Sequence, residues 1–278
     1  MTDADRPQHA DDATPLDQTL AAMTDAPEDE GARLRFHERF ADAELFLLLT
    51  HEADGDRIDP RIFDTDAGRF VAAFDREDRL AAFAGGIAPF AAMPGRTLAS
   101  LAVAEGLGVA LNLGVTGGET LVAPDTLAWL VDTLSARPQE AEARPRDIAP
   151  PADLPERLLT GIDAKLAAMP GRARSAYLAA VTYDTGAASH LLAFVDAAPG
   201  AEGALATAIG EALAFSGLEA ATLDVAFFVA HDPIAARLAR VALRFDLPTP
   251  EAPPRPAAPG SDPDRPPILR QSTRPGKS

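Results

Sequence analysis

The side chains able to do chemistry in this chain are limited in kind. There is no Cys, which removes thiol nucleophiles, disulfides and thiolate metal sites together. Gly114-Val115-Thr116-Gly117-Gly118-Glu119-Thr120 resembles a phosphate cradle at first sight. A P-loop needs Gly, four residues, then Gly-Lys-Ser/Thr, because backbone amides and the Lys ammonium must surround the phosphates. Glu119 stands where the second glycine belongs, no Lys follows, and the next helix begins only after Pro124, too far along for its N-terminal amides to take part. The segment reads as a turn.

His9, His37, His51, His190 and His231 show no His-Glu-x-x-His and no spacing that sets two imidazoles on one helical face, so zinc is not indicated. His51-Glu52-Ala53-Asp54-Gly55-Asp56 gathers metal-competent side chains without the alternating Asp order and terminal Glu of a calcium loop, and reads as a solvated acidic turn. There is no Gly-x-Ser-x-Gly elbow, and Phe215-Ser216-Gly217 reads as a helix end closed by glycine. No catalytic residue, metal ligand or cofactor site is assigned.

Two residues remain as ligand-binding candidates. Arg96 lies just inside an expected helix start behind Gly95, where a guanidinium and free amides can hold an anion; a solvent-facing Arg is the ordinary alternative. Asn112 ends the expected strand 107–113, whose alternation puts Leu107, Val109, Leu111 and Leu113 on one face and Gly108, Ala110 and Asn112 on the other. Such a small face admits close approach, either of a packed helix or of a ligand lying beside Asn112.

The elements that must carry these residues follow from periodicity and punctuation. Residues 1–27 form an acidic arm expected to be largely mobile, with one helical run at Leu16–Met23. Over 28–136 the pattern predicts a helix to about Ala43, a continuous apolar strand 44–49, a hairpin of 57–63 with 69–75, a helix 76–84 capped by Asp75 and stopped by Gly85-Gly86, a helix after Pro94-Gly95, the strand 107–113 and a helix from Pro124 to Leu134. Residues 137–151, charged and Pro-rich, read as a linker.

Over 152–248 a helix capped by Asp153 carries Leu154, Leu158, Leu159, Ile162 and Leu166; strands 175–183 and 189–195 flank Asp184-Thr185-Gly186; a helix 201–215, a strand 222–229 and a helix opened by Asp232-Pro233 follow. Residues 249–278 are too Pro-rich and apolar-poor to fold, and are expected to be disordered. The fold class is therefore α+β: two small mixed α/β domains, each a short sheet with helices packed on it, joined by a Pro-rich linker, with disordered termini. Ala-Ala-Met-Pro-Gly-Arg occurs at 91–96 and 167–172, once leading into a helix and once ending one, so it is punctuation rather than a repeat. RFVAAFD at 69–75 and HLLAFVD at 190–196 are a better echo, each a strand between a hairpin turn and a helix.

Net charge is −17, with nine acids against Arg6 in residues 1–30. Acidity of this kind, without a basic stripe interleaved with aromatics, argues against nucleic acid. The excess of Arg over Lys reads as codon bias of a GC-rich bacterial genome rather than as chemistry. The apolar stretch 84–115 contains Glu105, which at the centre of a span would cost roughly 2–3 kcal/mol, so a buried helix and strand explain it better and no membrane contact is expected. The acidic N-terminus lacks an apolar h-region, and a cytoplasmic location follows.

Arg69–Gly86 (RFVAAFDREDRLAAFAGG), Gly106–Gly114 (GLGVALNLG) and Glu211–Pro248 resemble the bacterial SseB-like family, named for enhanced serine sensitivity, over roughly 31–248. The resemblance implies an N-terminal domain followed by a C-terminal domain of that family, and brings no active-site residues. The expected function is a non-catalytic interaction or regulatory protein with a protein partner. The alternative is a small-ligand binder, possibly for an amino acid, or an enzyme, using the Gly108/Ala110/Asn112 face. Oligomeric state is not readable.

Overall fold

The computed structural model describes residues 13–55, 57–136, 143–217 and 223–249; the expected tail, apart from Thr249, and the first twelve residues of the arm lie outside the described residues. The first domain comprises α1 (Pro15–Asp25), α2 (Glu30–Asp42), β1 (Glu44–Leu48), β2 (Ile62–Thr65), β3 (Gly68–Phe74), α3 (Glu77–Ala84), β4 (Phe90–Pro94), α4 (Gly95–Ala104), β5 (Gly108–Leu111), β6 (Thr120–Val122) and α5 (Pro124–Leu134). The second comprises β7 (Pro145–Ala149), α6 (Glu156–Ala167), β8 (Ser175–Tyr183), β9 (Ala188–Val195), α7 (Glu202–Ala214), β10 (Leu223–Phe228), α8 (Pro233–Val241) and β11 (Leu243–Asp246). The fold is α+β, with two mixed sheets. Among the described residues no helix is long and apolar enough to cross a membrane.

The first sheet runs β4-β1-β3-β5-β6, with β2 paired to the free half of β3. Pairing is antiparallel except between β3 and β5, whose parallel link requires a crossover, supplied by α3, β4 and α4. The second sheet runs β10-β9-β8-β11, with β7 on the remaining edge of β8, and only β9 and β10 pair in parallel, through α7.

One face of each sheet is buried under helices. Leu45, Leu47, Val71, Ala73, Val109 and Leu111 meet Leu34, Phe36 and Phe40 of α2, Leu98 of α4 and Leu127 and Leu130 of α5. In the second domain Ala176, Leu178, Leu192 and Phe194 meet Leu158 and Ile162 of α6 and Leu205 and Ile209 of α7. Each fully buried Leu or Phe contributes about 1.5–3 kcal/mol, so these two layers hold most of the stabilisation. They face one another: Phe215, at the end of α7, is buried in the core of the first domain rather than its own.

Three expectations are corrected. The arm is not mobile throughout: Thr14 and Asp17 form a reciprocal capping box for α1, and Leu16 and Leu20 are buried in the first core. The linker is not structureless: residues 145–149 form β7, because the unpaired upper edge of β8 offers hydrogen bonds and Ile148 reaches the core of the second sheet's other face. Residues 137–142 lie outside the described residues. Neither Asp75 nor Asp153 caps a helix. Arg76 and Pro155 stand at those cap positions, Asp153 has left-handed backbone, and Asp75 is held in the ion pairs described below.

Candidate functional site

Two helix pairs set up the junction between the domains. In the first domain α2 ends where α4 begins, and the Gly95 N–H donates to the Ala43 carbonyl at 2.9 Å. A Cβ on Gly95 would sit 1.8 Å from the Phe40 carbonyl oxygen, so only glycine lets the two helices approach this closely. The approach puts Asp42, the last residue of α2, beside Arg96. In the second domain α6 and α7 pack with Gly161 over Ala212, which brings Lys165 beside Glu211.

These four residues, one from each helix, close a ring of alternating charge across the domain boundary. Arg96 Nη1 and Nη2 donate to Glu211 Oε1 and Oε2 at 2.8 and 3.1 Å, a bidentate pair, and Nη2 also donates to Asp42 Oδ1. Lys165 Nζ donates to Asp42 Oδ2 at 2.7 Å and to Glu211 Oε2 at 2.9 Å. Glu38 joins at 3.6 Å from Lys165.

Burial alone would push the Glu211 and Asp42 carboxyls up; the Arg96 and Lys165 charges outweigh it and hold both below the usual carboxylate range. Burial would lower Lys165, but Asp42 and Glu211 hold it above the ordinary lysine value. Arg96 is raised, mainly by its bond to Glu211. Glu38 goes the other way, with burial raising it more than Lys165 lowers it. The ring is thus a fully charged, mutually satisfied cluster, the form in which buried charges are tolerated.

Beside the ring the helix layers part to leave a cleft of about 1080 Å³. Ala164, Ala204 and Ala208 line its walls and the ring charges its base. Arg39 and Arg157 line it too, and neither makes an ion pair to a described residue. Arg157 lies across the mouth: a methyl group on Gly31 of α2 would come within 2.8 Å of its Nη1, and one on Gly217, beyond α7, within 3.5 Å. Next to the cleft an aromatic file runs from one domain to the other, His37 to Trp129 at 5.4 Å and Trp129 to Phe215 at 6.2 Å, both edge-on. His37 is buried, and burial lowers its pKa.

Asn112 occupies a different place. Its side chain is 0% exposed, its backbone is left-handed with φ 50°, and its Oδ1 accepts from the Asp75 N–H at 3.0 Å, tying the ends of β3 and β5 together. Nδ2 has no partner. Asp75 in turn accepts from Arg79 at 2.8 Å and from the Thr14 hydroxyl at 2.5 Å. Arg79 also forks onto Asp17 of α1 at 3.0 and 2.6 Å, holding the Asp17 carboxyl below its ordinary value against the upward push of burial. This cluster pins α1 to the domain.

The Gly108 and Ala110 face is filled from within the protein. A Cβ on Gly108 would meet the ring of Phe70, its partner on β3, at 2.3 Å, and Ala110 is buried. The other expected turns stand as turns. Glu119, the residue that departs from the P-loop pattern, accepts from the Gly114 N–H at 2.9 Å and closes that loop on itself. Gly217, with φ 72°, closes the end of α7. His51 is exposed near Asp59, and the Nε2 of His190 lies 3.1 Å from the Ala152 carbonyl. His9 and Asp56 lie outside the described residues. Among the described residues no three metal-competent side chains converge.

Of the two sequence candidates, Arg96 reaches the cleft and Asn112 does not. The sequence reading passed over Asp42, Lys165, Glu211 and Phe215. Lys165 carried a signal: it is one of two Lys in the chain and falls on the same helical stripe as Leu158, Ile162 and Leu166. Comparisons with protein-family models, with curated proteins and with solved structures give no match to the chain. The SseB-like resemblance therefore rests on residue pattern alone.

Proposed function

We propose that this chain, read as a cytoplasmic member of the SseB-like family, is a non-catalytic binding protein whose ligand is a small molecule bearing a carboxylate or phosphate, seated in the interdomain cleft. The observation that carries this is the position of Arg157, a guanidinium that makes no ion pair with a carboxylate among the described residues, on a cleft whose base is charged and beside Arg39, whose charge reaches Glu38. A planar, always-charged fork suits bidentate capture of such an anion. The ring charges support a binding role over an acid–base one, because Asp42, Glu211 and Lys165 are all driven further into their charged forms, whereas proton-transfer groups are tuned toward neutrality.

Thermal unfolding in the presence of inorganic phosphate, citrate, nucleotides and amino acids tests this. One class is expected to raise Tm in a concentration-dependent way, as mass action requires for a ligand of the native state, and Arg157→Gln is expected to abolish the shift while leaving the unliganded Tm unchanged. No shift with any anion, together with a stoichiometric protein partner in native mass spectrometry of the chain isolated from its own cell, would overturn the ligand reading in favour of an interaction module.

A further inference from the structure

The other face of the first sheet is aromatic and incompletely covered. Phe46, Phe63 and Phe90 from β1, β2 and β4 lie half-buried around Leu48, Ala72 and Phe74, with Phe46 edge-on to Phe90 at 5.4 Å. Among the described residues the only helix over this face is the eight-residue α3, whose Phe83 touches Phe63 and Phe74 yet stays 37% exposed, and Ile87 beyond it is fully exposed. Contiguous apolar surface of this kind on a sheet marks a docking site.

The 29 residues beyond Thr249 contain a matching segment. Ile268 and Leu269 are the only aliphatic residues larger than Ala in 250–278, and they follow Pro266-Pro267 between Arg265 and Arg270. Upstream, Pro250, Pro253, Pro256 and Pro259 recur every third residue, the period of a polyproline II helix. The sixteen residues from Pro250 to Arg265 reach about 50 Å at the rise of that helix. The second sheet, where the described chain ends, is separated from the aromatic face by the two helix layers and the first sheet, three steps of about 10 Å each, which a chain of that length can pass around. Charge agrees: the tail is net basic in an acidic protein, and the connection from β1 to β2, which ends with Arg61 over the Phe63 ring, carries Glu52, Asp54, Asp56 and Asp59 against Arg57 and Arg61.

We infer that the segment Pro266–Leu269 docks on the Phe46/Phe63/Phe90 face of its own chain, reached through the proline-rich residues 250–265 and steered by the flanking arginines. The aromatic face is then a regulated surface: a protein partner competes with the tail for it.

The chain has no Cys, so a single spin label at Ser272→Cys in the full-length protein reads the contact directly. Amide signals of Phe46, Phe63 and Phe90 are expected to be lost, those around Arg157 retained, and the lost signals restored by the double variant Ile268→Asp, Leu269→Asp. Unchanged signals at the three phenylalanines overturn the inference. So does broadening centred on the cleft rim, or loss seen only when labelled and isotope-enriched copies are mixed, which would assign the contact to a second molecule.

Discussion

The two sheets share a plan. In the first, β4-β1-β3-β5 pair antiparallel, antiparallel, parallel; in the second, β11-β8-β9-β10 do the same in the same order. The echo between RFVAAFD and HLLAFVD falls on β3 and β9, the central strand of each plan. They differ in what covers the outer face. The second domain lays α8 across it, burying Ala235 and Leu238 against Tyr177, Val181 and Val195, whereas the first has only α3. The inner faces are alike and are consumed in joining the domains. A shared plan thus leaves one sheet with a helix across its outer face and the other with an outer face that the described residues cover only in part.

The largest break in the comparison comes from removing the one side chain that crosses between cores: Phe215→Ala is expected to destabilise by about 3–5 kcal/mol, with the two domains unfolding separately in urea rather than together. Gly95→Ala, which drives a methyl into the Phe40 carbonyl, is expected to cost about 3 kcal/mol, visible as a lower urea midpoint of the joint unfolding transition. The outer faces should respond unequally to truncation. Leu238→Ala is expected to cost about 3 kcal/mol and Phe83→Ala about 1 kcal/mol, because over a third of the Phe83 ring is already in water.

Acidification should weaken the junction. Asp42 and Glu211 have folded pKa values below their unfolded ones, so their contribution is complete above the unfolded values, about 3.9 and 4.3, and is lost as pH falls through the folded values. Urea midpoints of the wild type and of Glu211→Gln are expected to differ at pH 7 and to converge at acid pH; a constant difference would remove the ring from the account. The smallest effect contrasts two glycines in the facing helix layers. A Cβ on Gly161 meets Ala212 only at 3.7 Å, ordinary contact, so Gly161→Ala is expected to be neutral or to stabilise by up to about 1 kcal/mol through helix propensity, opposite in sign to Gly95→Ala.

What the sequence reading missed has a common cause. The strands β4, β6, β7 and β11 were all unforeseen, and all lie at sheet edges. Edge strands such as Phe90–Pro94 (FAAMP), Ala-rich and ending in Pro, and Leu243–Asp246 (LRFD), which alternates over only four residues, carry too short or too weak a β pattern to stand out, and they become strands because a buried neighbour offers unpaired N–H and C=O groups. The central strands β1, β8 and β9 were legible because burial on both faces selects apolar runs. Arg96 was picked out for its place at a helix start, but nothing local says that its anions are Asp42 and Glu211, 54 and 115 residues away.

Local sequence by itself determined the two α+β units, the long helices and the hairpins, since these follow from side-chain period and from turn residues acting over a few positions. Only tertiary structure decided that the helix layers meet, that Phe215 belongs to the core of the other domain, that four charges from four helices close a ring, and that Phe70 fills the space over Gly108. Each of these depends on residues brought together across many turns of chain, where pairing energy depends on burial and distance, neither of which a single stretch of sequence records.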